Sequence, residues 1–533
     1  MGKNIKIIIL LMSVLLLLGS CSGEGKVNQN INNESNSQLE KDIPHLSYWS
    51  ELNGNASSVK PRFENVPFFQ EWQRRTGVKL TFIQPPANQA IEAFNVMIAS
   101  EQLPDMIEYE WDKFPGGPEK AIRDGVILRL NEAFEQYAPN LMAYLAEHPE
   151  IDRAIRTADG SYYFFPFVQA DDRLRTYQGP LIRKDWLDEL ALEVPTTISE
   201  WEIVLRAFKE KKGIVAPLTF LGLPSPLFGI ENGAFIGAFG IKKGFYMEED
   251  KVMFGPKEEG YKAFLTLFRD WYAEGLIDRN IATVDSKTQD VSMITGRSGA
   301  SIWNVGAGIG TWLPYMRNEN AEFQITPAPY PVLNAGDRPK FGQYTSAVGS
   351  SGRVAISAHS DNLEEAVRML DYGYSAEGHM LFNFGIEGES YVLEEGYPYY
   401  TDLILKNADK LAPSQALAMY TRASYFGPFV QDVRYLEQYY FLPEQQKAVA
   451  LWSDTDAILY TLPVTPKTEQ ENTALSSIMQ NVNTYVDEMS IKFILGIEPI
   501  ERFDEYVKQL KALNIEEVIQ IQQAALDRYQ DNR

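Results

Sequence analysis

The apolar pattern of the chain falls into three regimes. Residues 7–18 form an apolar run broken only by Ser13, preceded by Lys3 and Lys6 and followed by Gly19-Ser20-Cys21. Residues 22–42 hold Gly, Asn, Gln, Ser and Glu with almost nothing apolar. From residue 46 onward, short apolar runs alternate with stretches of helical period. The pattern predicts a strand at 46–50, then an amphipathic helix over 66–76 with Phe68, Phe69 and Trp72 on one face and Gly77 as its stop. A strand at 79–83, a helix at 89–100 and a strand at 105–109 follow. This βαβαβ opening predicts a parallel sheet with right-handed crossovers, hence an α/β fold.

The period changes near residues 161–172, a Tyr/Phe-rich strand that runs into polar residues. A strand at 180–183 leads into a helix. The sequence Pro195-Thr196-Thr197-Ile198-Ser199-Glu200-Trp201 then places Thr197 and Glu200 at capping-box spacing, opening a helix to about residue 211. The last third is mostly helical. Leu475, Ile478, Met479, Val482, Val486, Met489 and Phe493 share one face, with Gly496 as a stop, and helices at 501–513 and 515–529 end the chain. No internal repeat of 20–50 residues interrupts this order.

The first two regimes read as an address. The run at 7–18 is too short for a bilayer core of roughly 30 Å, but it has the length of a secretory signal behind a positive n-region. Leu18-Gly19-Ser20-Cys21 resembles the lipobox of bacterial lipoproteins, in which the signal (1–20) is removed and the cysteine acylated. Residues 21–42 are then a lipid-anchored flexible tether, since such composition cannot bury enough apolar surface to order itself. The expectation is a palmitate-bearing chain held at the extracytoplasmic face of the cell membrane through Cys21, without spanning it.

Charge and composition narrow the chemistry. The 533 residues carry 49 Lys and Arg against 72 Asp and Glu, a net charge of −23. A body this acidic repels phosphate backbones, so no nucleic-acid partner is expected. Four histidines and one cysteine leave no Cys/His zinc cluster, disulfide framework or redox pair. HExxH, the P-loop and the GxSxG elbow are absent. Gly306-Ala307-Gly308-Ile309-Gly310 is spaced GxGxG, which reads as a tight turn opening a helix rather than a nucleotide loop. No catalytic residue and no cofactor are assigned, although a pair of carboxylates for glycoside chemistry is always available by chance among 72 acids.

Aromatic residues at strand ends carry more information. In open α/β sheets ligands bind beyond the carboxyl ends of strands, and sugar rings stack their C–H faces on aromatic side chains. Trp49 ends the first strand, Trp111 follows the third, and Trp303 ends the apolar stretch 300–303. These are candidate stacking platforms, with Arg183, Asn304 and Tyr344 as candidate polar partners. The alternative for any of these tryptophans is the core.

Several segments together resemble family 1 extracellular solute-binding proteins, the receptors of bacterial ABC importers. Gly160 to Pro166 (GSYYFFP) is similar to that family's first crossing strand, and Leu181 to Leu187 (LIRKDWL) to its Y-N-K-D-L element. Pro195 to Trp201 resembles the P-K-T-W-E-E helix start, and Thr295 to Trp303 (TGRSGASIW) the F-x-x-G-x-x-A-M return strand. Ser357 to Leu370 with Ser375-Ala376-Glu377-Gly378 resembles the family's later helix. Ala99-Ser100-Glu101-Gln102-Leu103-Pro104-Asp105 and the stretch from Val486 to Ile494 point to the subgroup of alginate-oligosaccharide-binding lipoproteins.

The resemblance implies a two-lobe periplasmic-binding-protein-like fold of type II, with lobes joined by crossing strands at a hinge. It implies a first lobe of 43–172 with 303–358 and a second of 173–302 with 359–533. Function would be capture of an oligosaccharide by hinge closure and its delivery to ABC permease subunits, by a monomer without catalysis. A surface hydrolase or lyase, or a two-lobe receptor for a non-sugar solute, is the alternative. One departure stands out. Where close relatives carry a calcium loop of the type D-x-N-x-N-G-x-x-D-E-I-P, this chain has Lys209-Glu210-Lys211-Lys212-Gly213-Ile214-Val215-Ala216-Pro217. Calcium needs six to eight oxygen ligands, several of them anionic, so no metal is expected there.

Overall fold

Two four-stranded sheets organise the computed structural model, which describes residues 43–86, 89–223 and 225–531. The signal, tether and Cys21 expectations lie outside the described residues. In the first sheet His45–Trp49 runs parallel to both Lys79–Ile83 and Met106–Glu108, as the opening pattern predicts. Val354–Ile356 then adds antiparallel to Met106–Glu108 at the edge. The helix Pro67–Thr76 lays Phe68, Phe69 and Trp72 on this sheet and ends at Gly77, whose φ of 71° is the left-handed conformation that glycine adopts freely. Burying each such ring contributes roughly 2–3 kcal/mol.

The second sheet is mixed. Gln178–Arg183 lies between Ile325–Pro327 and Ala300–Asn304, antiparallel to both, and Leu218–Thr219 adds parallel to Ala300–Asn304. The capping box forms as spaced: Thr197 accepts from the Glu200 amide, and Glu200 reaches back to the Thr197 amide, opening the helix Ile198–Lys212. A second capping box, Thr468 with Glu471, opens the long helix Glu469–Ile494, whose Val482, Val486 and Phe493 are buried. The glycine-rich stretch makes a π-helical turn, Val305–Ile309, leading into the helix Gly310–Glu319.

Each sheet has its own hydrophobic core, so the fold is two-lobed and α/β. The packing draws the line between lobes differently from the segments implied by sequence. Residues 303–341 pack in the core of the second sheet, where Trp303, Trp312 and Tyr330 are buried, and not with the first. Ala366 to Phe382 pack in the first core, whose helix Leu363–Asp371 follows directly from the edge strand Val354–Ile356. The reason is local: strand Ala300–Asn304 pairs with Gln178–Arg183 along its whole length, so the turn and helix after it cannot leave that sheet.

Three extended segments run side by side in the first core, which buries Phe167, Val168, Val348 and Phe429. Phe167–Val168 pairs parallel with Phe429–Val430, the Gln431 amide donates to the Val168 carbonyl at 2.8 Å, and the Gly349 amide donates to the Phe167 carbonyl at 3.1 Å. Chain connections confined to such narrow ribbons are the hinges of two-lobed folds.

Candidate functional site

A cavity of about 740 Å³ opens where the three ribbons leave the cores, walled by Gln169, Ser350 and Phe426 on one side and Tyr177, Asn304 and Tyr439 on the other. A second cavity of about 590 Å³ continues it over the first sheet, beyond the strand ends at Trp49 and Glu108. Ser351, Tyr425 and Phe426 belong to both walls, so the two spaces form one groove.

The groove wall is aromatic and hydrogen-bonding. Phe426 is 50% exposed and Tyr177 42% exposed, so both rings offer a face to the groove. Tyr177 immediately precedes strand Gln178–Arg183, and its amide is held by the Gln343 side chain at 2.7 Å. Phe426 sits in Ser424-Tyr425-Phe426-Gly427-Pro428, between the helix Pro413–Tyr420 and the ribbon Phe429–Val430. Gly427 is required there: a Cβ would stand 2.7 Å from Nε of Arg422. Around these rings, Asn304 Oδ1, Ser424 Oγ and Tyr425 Oη are buried without a hydrogen-bond partner among the described residues. Such atoms carry a desolvation cost of about 1–3 kcal/mol each until something bonds them. Burial pushes the Tyr425 hydroxyl up to about 12, so it stays a donor at neutral pH.

The described cations lining the groove are each paired with a carboxylate. Arg422, buried against Tyr425 and Phe69, donates to Glu108 at 2.7 Å and 3.2 Å, and Glu108 also accepts from Tyr48 and Ser50. Burial opposes the Arg422 charge, yet Glu108 and Tyr48 hold its pKa above the usual guanidinium value. Arg353 is buried over Phe164 and donates to Asp112 at 2.5 Å. No set of three or more His, Cys, Asp or Glu residues is placed to hold a metal ion among the described residues.

Of the residues singled out from sequence, Trp49 and Asn304 line the groove. Trp49 offers little surface, being 3% exposed with its ring edge-on to Phe94 and Tyr109. Trp111 is a correction: it is fully buried in the first core, because the turn Trp111–Lys113 tucks it against Phe94 and Phe114. Trp303 is another, enclosed in the second core beneath the turn at Gly308. Arg183 is buried away from the groove, bonded to Asp185 at 2.5 and 2.8 Å between the rings of Trp186 and Phe323. Tyr344 accepts from Arg175 and donates to Asp172 beside the ribbon, without lining either cavity.

The stretch 209–217 does not fit a calcium cage. The helix closes at Gly213 with φ 66°, Lys212 pairs with Glu189, and Lys209 donates to the Glu274 carbonyl. Cations occupy the place where anionic oxygens would be needed.

The family model described as bacterial extracellular solute-binding protein matches residues 55–380. The chain is 23% identical over 513 residues to the fructooligosaccharide ABC transporter substrate-binding protein FusA of Streptococcus pneumoniae serotype 4, covering 90% of each. It is 24% identical over 385 residues to lipoprotein LipO of Bacillus subtilis (strain 168), covering 67% of this chain and 70% of the relative. Among solved structures, the alginate-binding protein AlgQ2 without calcium ion superposes with a TM-score of 0.75 at 26% identity, over 91% of this chain and 98% of that one.

Proposed function

Because the chain belongs to the bacterial extracellular solute-binding protein family, we propose that it captures an oligosaccharide in the groove between its lobes and delivers it to an ABC importer. The observation that carries the reading is the presence, in one groove, of two exposed rings, Phe426 and Tyr177, and three unbonded polar atoms. Rings supply the apolar faces on which sugar C–H groups stack. Asn304 Oδ1 accepts from a sugar hydroxyl, while Ser424 and Tyr425 donate to one, so binding removes penalties that the empty groove carries.

Binding then closes the lobes about the ribbons at 167–169, 347–349 and 429–431. A ligand touching both walls favours the closed state by its differential contacts there, and only by those. The closed form is what the permease receives. The chain performs no chemistry on its ligand, and it is held at the membrane through lipid on Cys21. The lobes, on this reading, are those of the two cores: residues 44–168 with 348–382 and 418–430, and residues 174–341 with 384–417 and 435–518.

Isothermal titration of the folded body against oligosaccharides, with chromatography of the recovered sugar, tests the reading. Saturable binding with the sugar recovered intact is expected. Shortened or unsaturated products would assign the protein to hydrolysis or lyase chemistry instead.

A further inference from the structure

The groove's cations are already spoken for. Arg353 is bonded to Asp112 at 2.5 Å, Arg422 to Glu108 at 2.7 Å, and Lys113 to Glu110 at 3.0 Å. Arg173 is held by Asp171 at 2.9 Å and by Glu437 at 3.0 Å. Lys467, in the adjoining cavity that shares Asp112 and Arg353 with the groove wall, donates to Thr465, and burial lowers its pKa. In contrast Glu51 and Glu92 line the groove with no ion pair among the described residues.

A ligand carboxylate brought into this space would need a cation to replace its water. For the buried Arg353 and Arg422, engaging it would mean loosening the bond to their own carboxylate and leaving that group less well paired. The incoming charge would also meet Glu51 and Glu92, and like charges at close range oppose binding. A hydroxyl-rich neutral ligand meets none of these costs, and the unbonded atoms of Asn304, Ser424 and Tyr425 suit it.

We propose that the groove selects uncharged oligosaccharides and excludes uronates, because internal carboxylates neutralise every cation on its wall. This rests on the oligosaccharide reading above. It names a substrate class and gives Asp112, distant in sequence from the aromatic segment at 424–427, the role of a specificity-determining residue.

The test is titration calorimetry with neutral hexose oligosaccharides and with oligogalacturonates of equal length, at 20 and 500 mM NaCl. The expected result is saturable binding of a neutral sugar that changes less than about twofold with salt, and uronate binding at least about tenfold weaker. Asp112→Asn, which leaves Arg353 without its carboxylate, should raise uronate affinity severalfold in a salt-dependent way. Uronates bound as tightly as neutral sugars, or an Asp112→Asn protein that melts like the wild type yet gains no uronate affinity, would overturn the proposal while sparing the oligosaccharide reading. Binding of neither class would overturn that reading, and this one with it.

Discussion

Tryptophans at strand ends and tryptophans in cores are written identically in a sequence, and single substitutions separate them. Phe426, half-exposed on the groove wall, should lose affinity without losing stability. Phe426→Ala is expected to weaken sugar binding about tenfold, from the roughly 1–1.5 kcal/mol that a stacked ring contributes, with an unchanged melting temperature. Trp303 is 6% exposed and packs in the second core, so Trp303→Ala should cost about 3–5 kcal/mol of stability. Denaturant unfolding and calorimetry on both variants decide between the roles. A Trp303→Ala protein of normal stability and lost affinity would return that ring to the binding site.

At the scale of the element, short-range chemistry sets the boundaries. The turn Val305–Ile309 approaches strand Ala300–Asn304 so closely that a Cβ on Gly308 would stand 2.8 Å from the Trp303 ring and 2.9 Å from Leu181. Gly308→Ala should therefore destabilise by about 1–3 kcal/mol, measured by urea unfolding. Asp432 caps the helix Val433–Tyr439 through the Arg434 amide and bonds His379 at 2.9 Å. Burial works against its charge, but the bonds from His379 and Arg434 prevail and hold its carboxyl below the ordinary range. A carboxyl depressed in the folded state adds stability above its unfolded value of about 3.9, and this is lost as pH falls through the folded value. Unfolding at pH 6 and pH 3 should show a smaller acid loss for Asp432→Asn than for the wild type; equal losses would exclude Asp432 as a source.

For the whole molecule, two separate cores with extended ribbons among their connections make closure the expected response to ligand. The radius of gyration from small-angle X-ray scattering should fall when a bound oligosaccharide saturates the groove, and an unchanged value would remove hinge closure from the reading. The address at the N-terminus makes a separate prediction at the same scale. Cys21→Ala should release the protein from the membrane fraction or leave it unprocessed, followed by fractionation and mass spectrometry of the N-terminus. Normal cleavage with retention on the membrane would count against lipid at that residue.

Elements were legible because their causes lie within a few residues. The βαβαβ opening, the Thr197–Glu200 capping box, the Gly77 stop and the turn at 305–309 depend on local period, capping and backbone freedom, and each stands where the pattern predicts. The family resemblance likewise rests on short segments in a fixed order. The binding wall was not legible in that way. Phe426 and Asp112 face one groove only because ribbons at 167–168 and 429–430 pair across about half the chain. Trp111 and Trp303 share the strand-end position of a stacking ring, yet the turn after each strand folds it inward. A strand end fixes where a side chain begins, and long-range packing alone decides whether it ends in a core or at a ligand.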